Sequence, residues 1–112
     1  MKTWPIKDDQ GNTGAFEIGS LSISMQTIVK LLRKTKGVSN VQERHIFADS
    51  SDVHITFTYL TTPCIVWEPF ADNSRYWIGP EEGYRGAAEI AALENAFKSF
   101  RVPLIRRIFG QR

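Results

Sequence analysis

The chain has 112 residues, a length that suits one domain with a single hydrophobic core. Apolar residues make up 42% and charged residues 23%, an ordinary globular mixture that excludes the disordered and fibrous classes. No apolar stretch approaches the roughly 18 residues of a membrane-spanning helix, no signal-peptide core follows Met1, and the lone Cys64 cannot close an internal disulfide, so a cytoplasmic domain over residues 1–112 is expected.

Thr3 to Lys7 reads as a short first strand, weakened by Pro5, which has no amide to donate. Asp8-Asp9-Gln10-Gly11-Asn12-Thr13-Gly14 is turn chemistry, and Ala15 to Ile18 is the returning strand of a hairpin. Gly11 and Gly14 do not build a phosphate loop, because no Lys-Ser or Lys-Thr follows them. A helix is predicted from Leu21 to Lys36, with Leu21, Met25, Ile28, Val29 and Leu32 on one apolar stripe. Ser20, Ser22 or Ser24 supplies its N-cap and Gly37 its stop.

Val38 to Phe47 is extended, with Asp49-Ser50-Ser51-Asp52 as its turn. Val53, Ile55, Phe57 and Tyr59 then alternate with His54, Thr56 and Thr58, the period of a half-buried strand, which places His54 on the threonine face. Thr61-Thr62-Pro63 turns the chain into Cys64 to Phe70, and Asp72-Asn73 turns it into Arg75 to Ile78. Gly79-Pro80-Glu81-Glu82 is a helix-start signal, with the stable part of that helix opening near Gly86. Ile90, Leu93, Phe97 and Phe100 form its apolar stripe until Pro103 breaks it, and Leu104, Ile105, Ile108 and Phe109 suggest one further amphipathic turn. The expected fold is α+β: an antiparallel sheet of an N-terminal hairpin and a three- or four-stranded meander, with two main helices on one face.

Catalytic chemistry has little to stand on. Cys64 with His45 or His54 and Asp49 or Asp52 supplies the residue types of a thiol enzyme, but no local signature surrounds the cysteine, which reads as a small buried strand residue. Two histidines nine residues apart, with no second cysteine, make no metal motif, and no cofactor motif is present. The reading is therefore non-enzymatic and without a cofactor.

The formal net charge is only +2, yet Lys30, Arg33, Lys34 and Lys36 form one basic cluster and Lys98, Arg101, Arg106, Arg107 and Arg112 another. Cations favour helix C-termini, which accounts for both clusters structurally. The functional alternative is a nucleic-acid surface in which Lys30, Arg33, Lys34, Lys36, Arg101, Arg106 and Arg107 contact phosphates beside stacking aromatics.

The most distinctive segment is Trp67 to Pro80, which holds two of the three tryptophans around one turn. Strand alternation puts Ile65 and Trp67 on one side and Cys64, Val66 and Glu68 on the other, with Arg75 and Trp77 on one side and Tyr76 and Ile78 on the other. Trp67, Tyr76 and Trp77 are candidate anchors for a protein partner, with Glu68, Asp72 and Arg75 setting polarity. Cross-strand aromatic pairing, and a Glu68–Arg75 ion pair across the hairpin, would explain the same residues structurally. A small-molecule pocket between sheet and helices, with Glu68, Arg75 or His54 as polar contacts, is a third use.

A short α+β chain with this hairpin resembles the small orphan proteins carried on bacterial mobile gene cassettes. It is also similar to immunity proteins encoded beside toxins in polymorphic toxin systems. The resemblance covers the layout and the fourteen residues Trp67 to Pro80, and it transfers no site residue. It implies a stoichiometric binding protein that covers a toxin's active surface without turnover. A second copy of the chain is the alternative partner, because one exposed patch can meet itself in a symmetric homodimer.

Overall fold

The computed structural model describes residues 1–19, 23–44, 53–68, 75–81 and 89–100. Its elements, in chain order, are β1 (Thr3–Lys7), β2 (Thr13–Gly19), α1 (Met25–Lys34), β3 (Val38–Glu43), β4 (Val53–Tyr59), β5 (Thr62–Trp67), β6 (Arg75–Pro80) and α2 (Ile90–Ser99). The six strands form one antiparallel sheet in the order β1-β2-β6-β5-β4-β3. This is the expected α+β fold, and the meander has four strands. The hairpin joins the meander through β2 and β6, and α1 carries the chain from that side of the sheet to β3 at the far edge.

Local chemistry explains most of the elements. Asp8 Oδ1 accepts from the amides of Gln10 and Asn12, and Gly11 takes φ +83°, which closes the first hairpin. Ser24 is the N-cap of α1, accepting from the Thr27 amide at 3.1 Å. The helix is shorter than the expected span from Leu21 to Lys36. Ile23 and Ser24 precede it, Thr35 is already extended, and Gly37 at φ +90° turns the chain two residues beyond the cap. The alternative caps Ser20 and Ser22, together with Leu21, lie outside the described residues, as do the turns at 49–52 and 72–73 and the segment 101–112.

Two expectations are overturned between β4 and α2. The β4–β5 turn falls at Leu60 and Thr61, so Thr62 and Pro63 belong to β5. Pro63 is tolerated there near the start of the strand, where its carbonyl still accepts from the Glu81 amide at 3.0 Å. Gly79 and Pro80 do not start a helix; they end β6, paired with Ile65 and Cys64. The glycine serves close approach: a Cβ at Gly79 would stand 2.7 Å from the Ala15 Cβ and 2.9 Å from Trp77 Cη2. The helix itself starts at Ile90; the expected opening turns over 82–88 lie outside the described residues.

One core fills the space between the sheet and both helices. Phe16, Ile18, Ile55, Phe57, Cys64, Val66 and Ile78 face Ile28, Val29, Leu31 and Leu32 of α1 and Ile90, Leu93 and Phe97 of α2. Phe97 meets Phe16 edge-on at 5.2 Å between ring centroids, which fixes α2 over the hairpin. Glu94, although buried, accepts from the Thr3 hydroxyl at 2.7 Å, so its carboxylate has a partner. Among the described residues, no helix is long and apolar enough to cross a membrane.

Replacing Phe97 by alanine removes a fully buried ring that both layers share. The expected cost is about 3–5 kcal/mol in urea unfolding, against less than about 0.5 kcal/mol for Lys30→Ala on the exposed side of α1.

Candidate functional site

The ladder dictates which side chains share the face of the sheet that is free of α1 and α2, its helix-free face among the described residues. Glu17 lies opposite Trp4 on one neighbour and opposite Trp77 on the other, and Trp77 lies opposite Trp67. All three tryptophans of the chain therefore stand on this face, in a row across β1, β6 and β5. The Arg75 guanidinium sits 3.7 Å from the centroid of the Trp4 ring while its Nη1 donates to Glu17 Oε1 at 3.1 Å. Such stacking contributes about 0.5–2 kcal/mol, and a partly exposed ion pair contributes at most about 1 kcal/mol. Trp67 and Trp77 meet edge to face at 6.0 Å, and Trp67 keeps 37% of its surface exposed. Ile65, half-buried, continues the apolar strip beside Gly79.

The expected Glu68–Arg75 pair is not formed, because the two side chains leave the sheet on opposite sides. Arg75 shares the side of Trp77, whereas Glu68 meets His54, with Glu68 Oε1 at 2.7 Å from His54 Nε2. His54 in turn does not follow the threonine face. The register shifts between Val53 and Ile55, so β4 carries one extra residue there, and His54 turns toward Glu68 and Tyr76. Its ring stands edge-on to Tyr76 at 6.0 Å. Burial, and then the neighbouring Glu68 carboxylate, raise the Tyr76 phenol above its ordinary pKa.

The predicted anchors thus divide. Trp67, Trp77 and Arg75 share the helix-free face, while Tyr76, Glu68 and His54 form a separate polar cluster on the other side. Asp72 lies outside the described residues. Lys30, Arg33, Lys34 and Lys36 are exposed on α1 and the turn after it, across the molecule from the tryptophans, and Arg33 and Lys34 occupy the last helical turn. Arg101, Arg106 and Arg107 lie outside the described residues. The basic cluster of α1 is thus separate from the tryptophans, and the basic side chains that do stand over a tryptophan ring are Lys2 and Arg75, both on Trp4; single-strand binding joins a basic groove to stacking aromatics.

Trp4 and Glu17 are functional candidates that sequence reasoning missed. Trp4 sits beside Pro5, which hides the strand period, and the partner that makes Glu17 informative is Arg75, 58 residues away. Cys64 is fully buried, its Sγ near the Thr62 carbonyl at 3.5 Å, and burial pushes the thiol up from 9.0 to about 12. Among the described residues, no three metal-ligating side chains converge. Comparisons with protein-family models, with curated proteins and with solved structures return no match.

Two outcomes follow from this geometry. Gly79→Ala is expected to cost about 1–3 kcal/mol and to perturb Trp77 fluorescence, because its methyl would overlap both Ala15 and the indole. The folded state holds the Cys64 proton more tightly than the unfolded chain, so stability is expected to fall as pH rises from 9.0 toward about 12. A Cys64→Ala variant followed by circular dichroism should lack that part of the alkaline loss.

Proposed function

We propose that this chain is a non-enzymatic binding protein whose helix-free sheet face receives a protein partner. One observation carries the reading: every tryptophan of the chain stands on the sheet face that neither helix covers. A sheet with one buried face ordinarily turns polar side chains outward, so a tryptophan row on the other side departs from the expected alternation. Trp67 and Trp77 supply flat apolar area with an indole donor, and the Trp4–Arg75–Glu17 stack holds the strip rigid beside them. Rigid anchors lose little side-chain entropy on binding, which favours a stoichiometric partner.

In this reading the chain acts in the cytoplasm by occlusion, as an immunity-like protein would against a toxin, and its core surface is Trp4, Ile65, Trp67 and Trp77 with Arg75 stacked on Trp4. The test is capture of tagged protein from lysate of its native host with and without nuclease, followed by titration of the purified partner. Trp67→Ala, folded by circular dichroism, is expected to weaken that complex by at least about 2 kcal/mol, or roughly thirtyfold in Kd. Recovery that collapses with nuclease, or an affinity indifferent to Trp67, would sink the proposal.

A further inference from the structure

A second surface lies on the other side of the molecule, in the groove between α1 and α2. It has a volume of about 830 Å³, within the roughly 300–1,000 Å³ of ordinary small-molecule sites. Its walls are apolar: Leu31 on α1, Ala92 and Ala96 on α2, Phe100 beyond it, and Leu60 from the β4–β5 turn. Lys34 and Lys36 also line it, with Thr35, Asn95 and Ser99, and among the described residues no acidic side chain does. His54, Glu68 and Arg75, the polar contacts expected for a pocket between sheet and helices, are not among its lining residues.

Two features of the lining point to an occupant. Tyr59 lines the groove while only 6% exposed, its ring edge against Gly37, where a Cβ would stand 3.2 Å from the tyrosine Cε1. Its hydroxyl has no hydrogen-bond partner among the described residues, yet its oxygen is not sealed from solvent. A solvent-reached hydroxyl in the same groove as two lysines is complementary to an anionic oxygen. Leu60 is the second feature. It takes φ +59° at a turn position where glycine costs nothing, and it leaves 56% of an apolar side chain exposed to the groove. Both the conformation and the exposure are unfavourable to the isolated fold, and both are offset when an alkyl chain covers the leucine.

We infer that this groove binds a free long-chain carboxylate, with its alkyl chain over Leu31, Leu60, Ala96 and Phe100 and its head group between Lys34, Lys36 and the Tyr59 hydroxyl. The site is independent of the tryptophan face, so either can fail without the other. The commitment to a carboxylate rather than a neutral amphiphile rests on the lysine pair, with no acid among the described lining residues, and the commitment to a single chain rests on the groove volume.

The test is calorimetric titration of the full chain with dodecanoate below its micelle concentration, with dodecanol as the uncharged control. One-to-one dodecanoate binding, at least about tenfold tighter than dodecanol, is expected. Lys34→Glu with Lys36→Glu should weaken it about tenfold, the combined effect of two partly exposed charges. Leu60→Gly should weaken it about tenfold or more while leaving the melting temperature unchanged or higher, because glycine relieves the positive φ. That opposite movement of affinity and stability separates a lost site from a damaged fold. No heat of binding, or equal affinity for dodecanol, overturns the inference. So does binding that appears only after Leu104→Ser with Ile108→Ser, which would assign the groove to the chain's own C-terminal residues, or a concentration-dependent dimer abolished by Leu60→Gly, which would assign it to a second copy.

Discussion

The ladder between Phe16–Gly19 and Arg75–Ile78 is the constraint on which everything else in this fold depends. It is the seam where the N-terminal hairpin becomes part of the meander's sheet. Its register decides both faces at once. With Phe16 opposite Ile78 and Glu17 opposite Trp77, the aromatic and aliphatic side chains of β2 and β6 enter the core while Glu17, Arg75 and Trp77 leave on the other side. A slip of β6 by one residue would turn Arg75 and Trp77 toward the core and Tyr76 and Ile78 toward the other face. The contact of Phe16 with Phe97 and the contact of Arg75 with Trp4 and Glu17 therefore enforce one register from opposite sides.

Much of the architecture was legible because it is written locally. Ile55, Phe57 and Tyr59 alternate with Thr56 and Thr58, and β4 follows that pattern beyond the shift at His54; Ile28, Val29 and Leu32 repeat at helical spacing and are buried on α1. The division of Arg75 and Trp77 from Tyr76 and Ile78 likewise needed only a strand period, and β6 obeys it. What failed was decided by distant atoms. Gly79 and Pro80 carry helix-start chemistry, but the Ala15 Cβ and the Trp77 ring require a residue without a side chain there. Glu68 and Arg75 are neighbours across a hairpin in sequence, yet parity separates them, and their real partners are His54 and Glu17. Leu60 showed no turn signal, since a leucine at positive φ contradicts every turn propensity.

The two candidate surfaces differ in how they are built. The tryptophan face is a consequence of pairing: once the strands are in register, the row exists, and its side chains brace one another. The groove is a consequence of spacing. Helix α1 packs beside β3 and α2 beside β2 and β1, toward opposite edges of one face of the sheet, and the floor between them falls to Tyr59 and the turn that follows it. The first surface is broad, suited to a flat partner, and the second is an open apolar groove with two lysines in its lining, suited to a chain with a polar head. The raised thiol of Cys64, sealed between them in β5, belongs to neither.

The pairing of β2 with β6 also sets the order in which this chain can fold. Glu17 and Arg75 are separated by 58 residues, and Thr3 and Glu94 by 91, whereas the pairings of β3 with β4, β4 with β5 and β5 with β6 each join neighbours in sequence. Loop closure over such spans must be paid in entropy before the contacts return anything, so the meander has the kinetic advantage and the hairpin docks on it afterwards. During synthesis the hairpin emerges first and waits for most of the chain. Until Arg75–Pro80 arrives, Phe16 and Ile18 have no layer above them and β2 has a bare edge, which makes the N-terminal hairpin the segment most exposed to mispairing in a nascent chain.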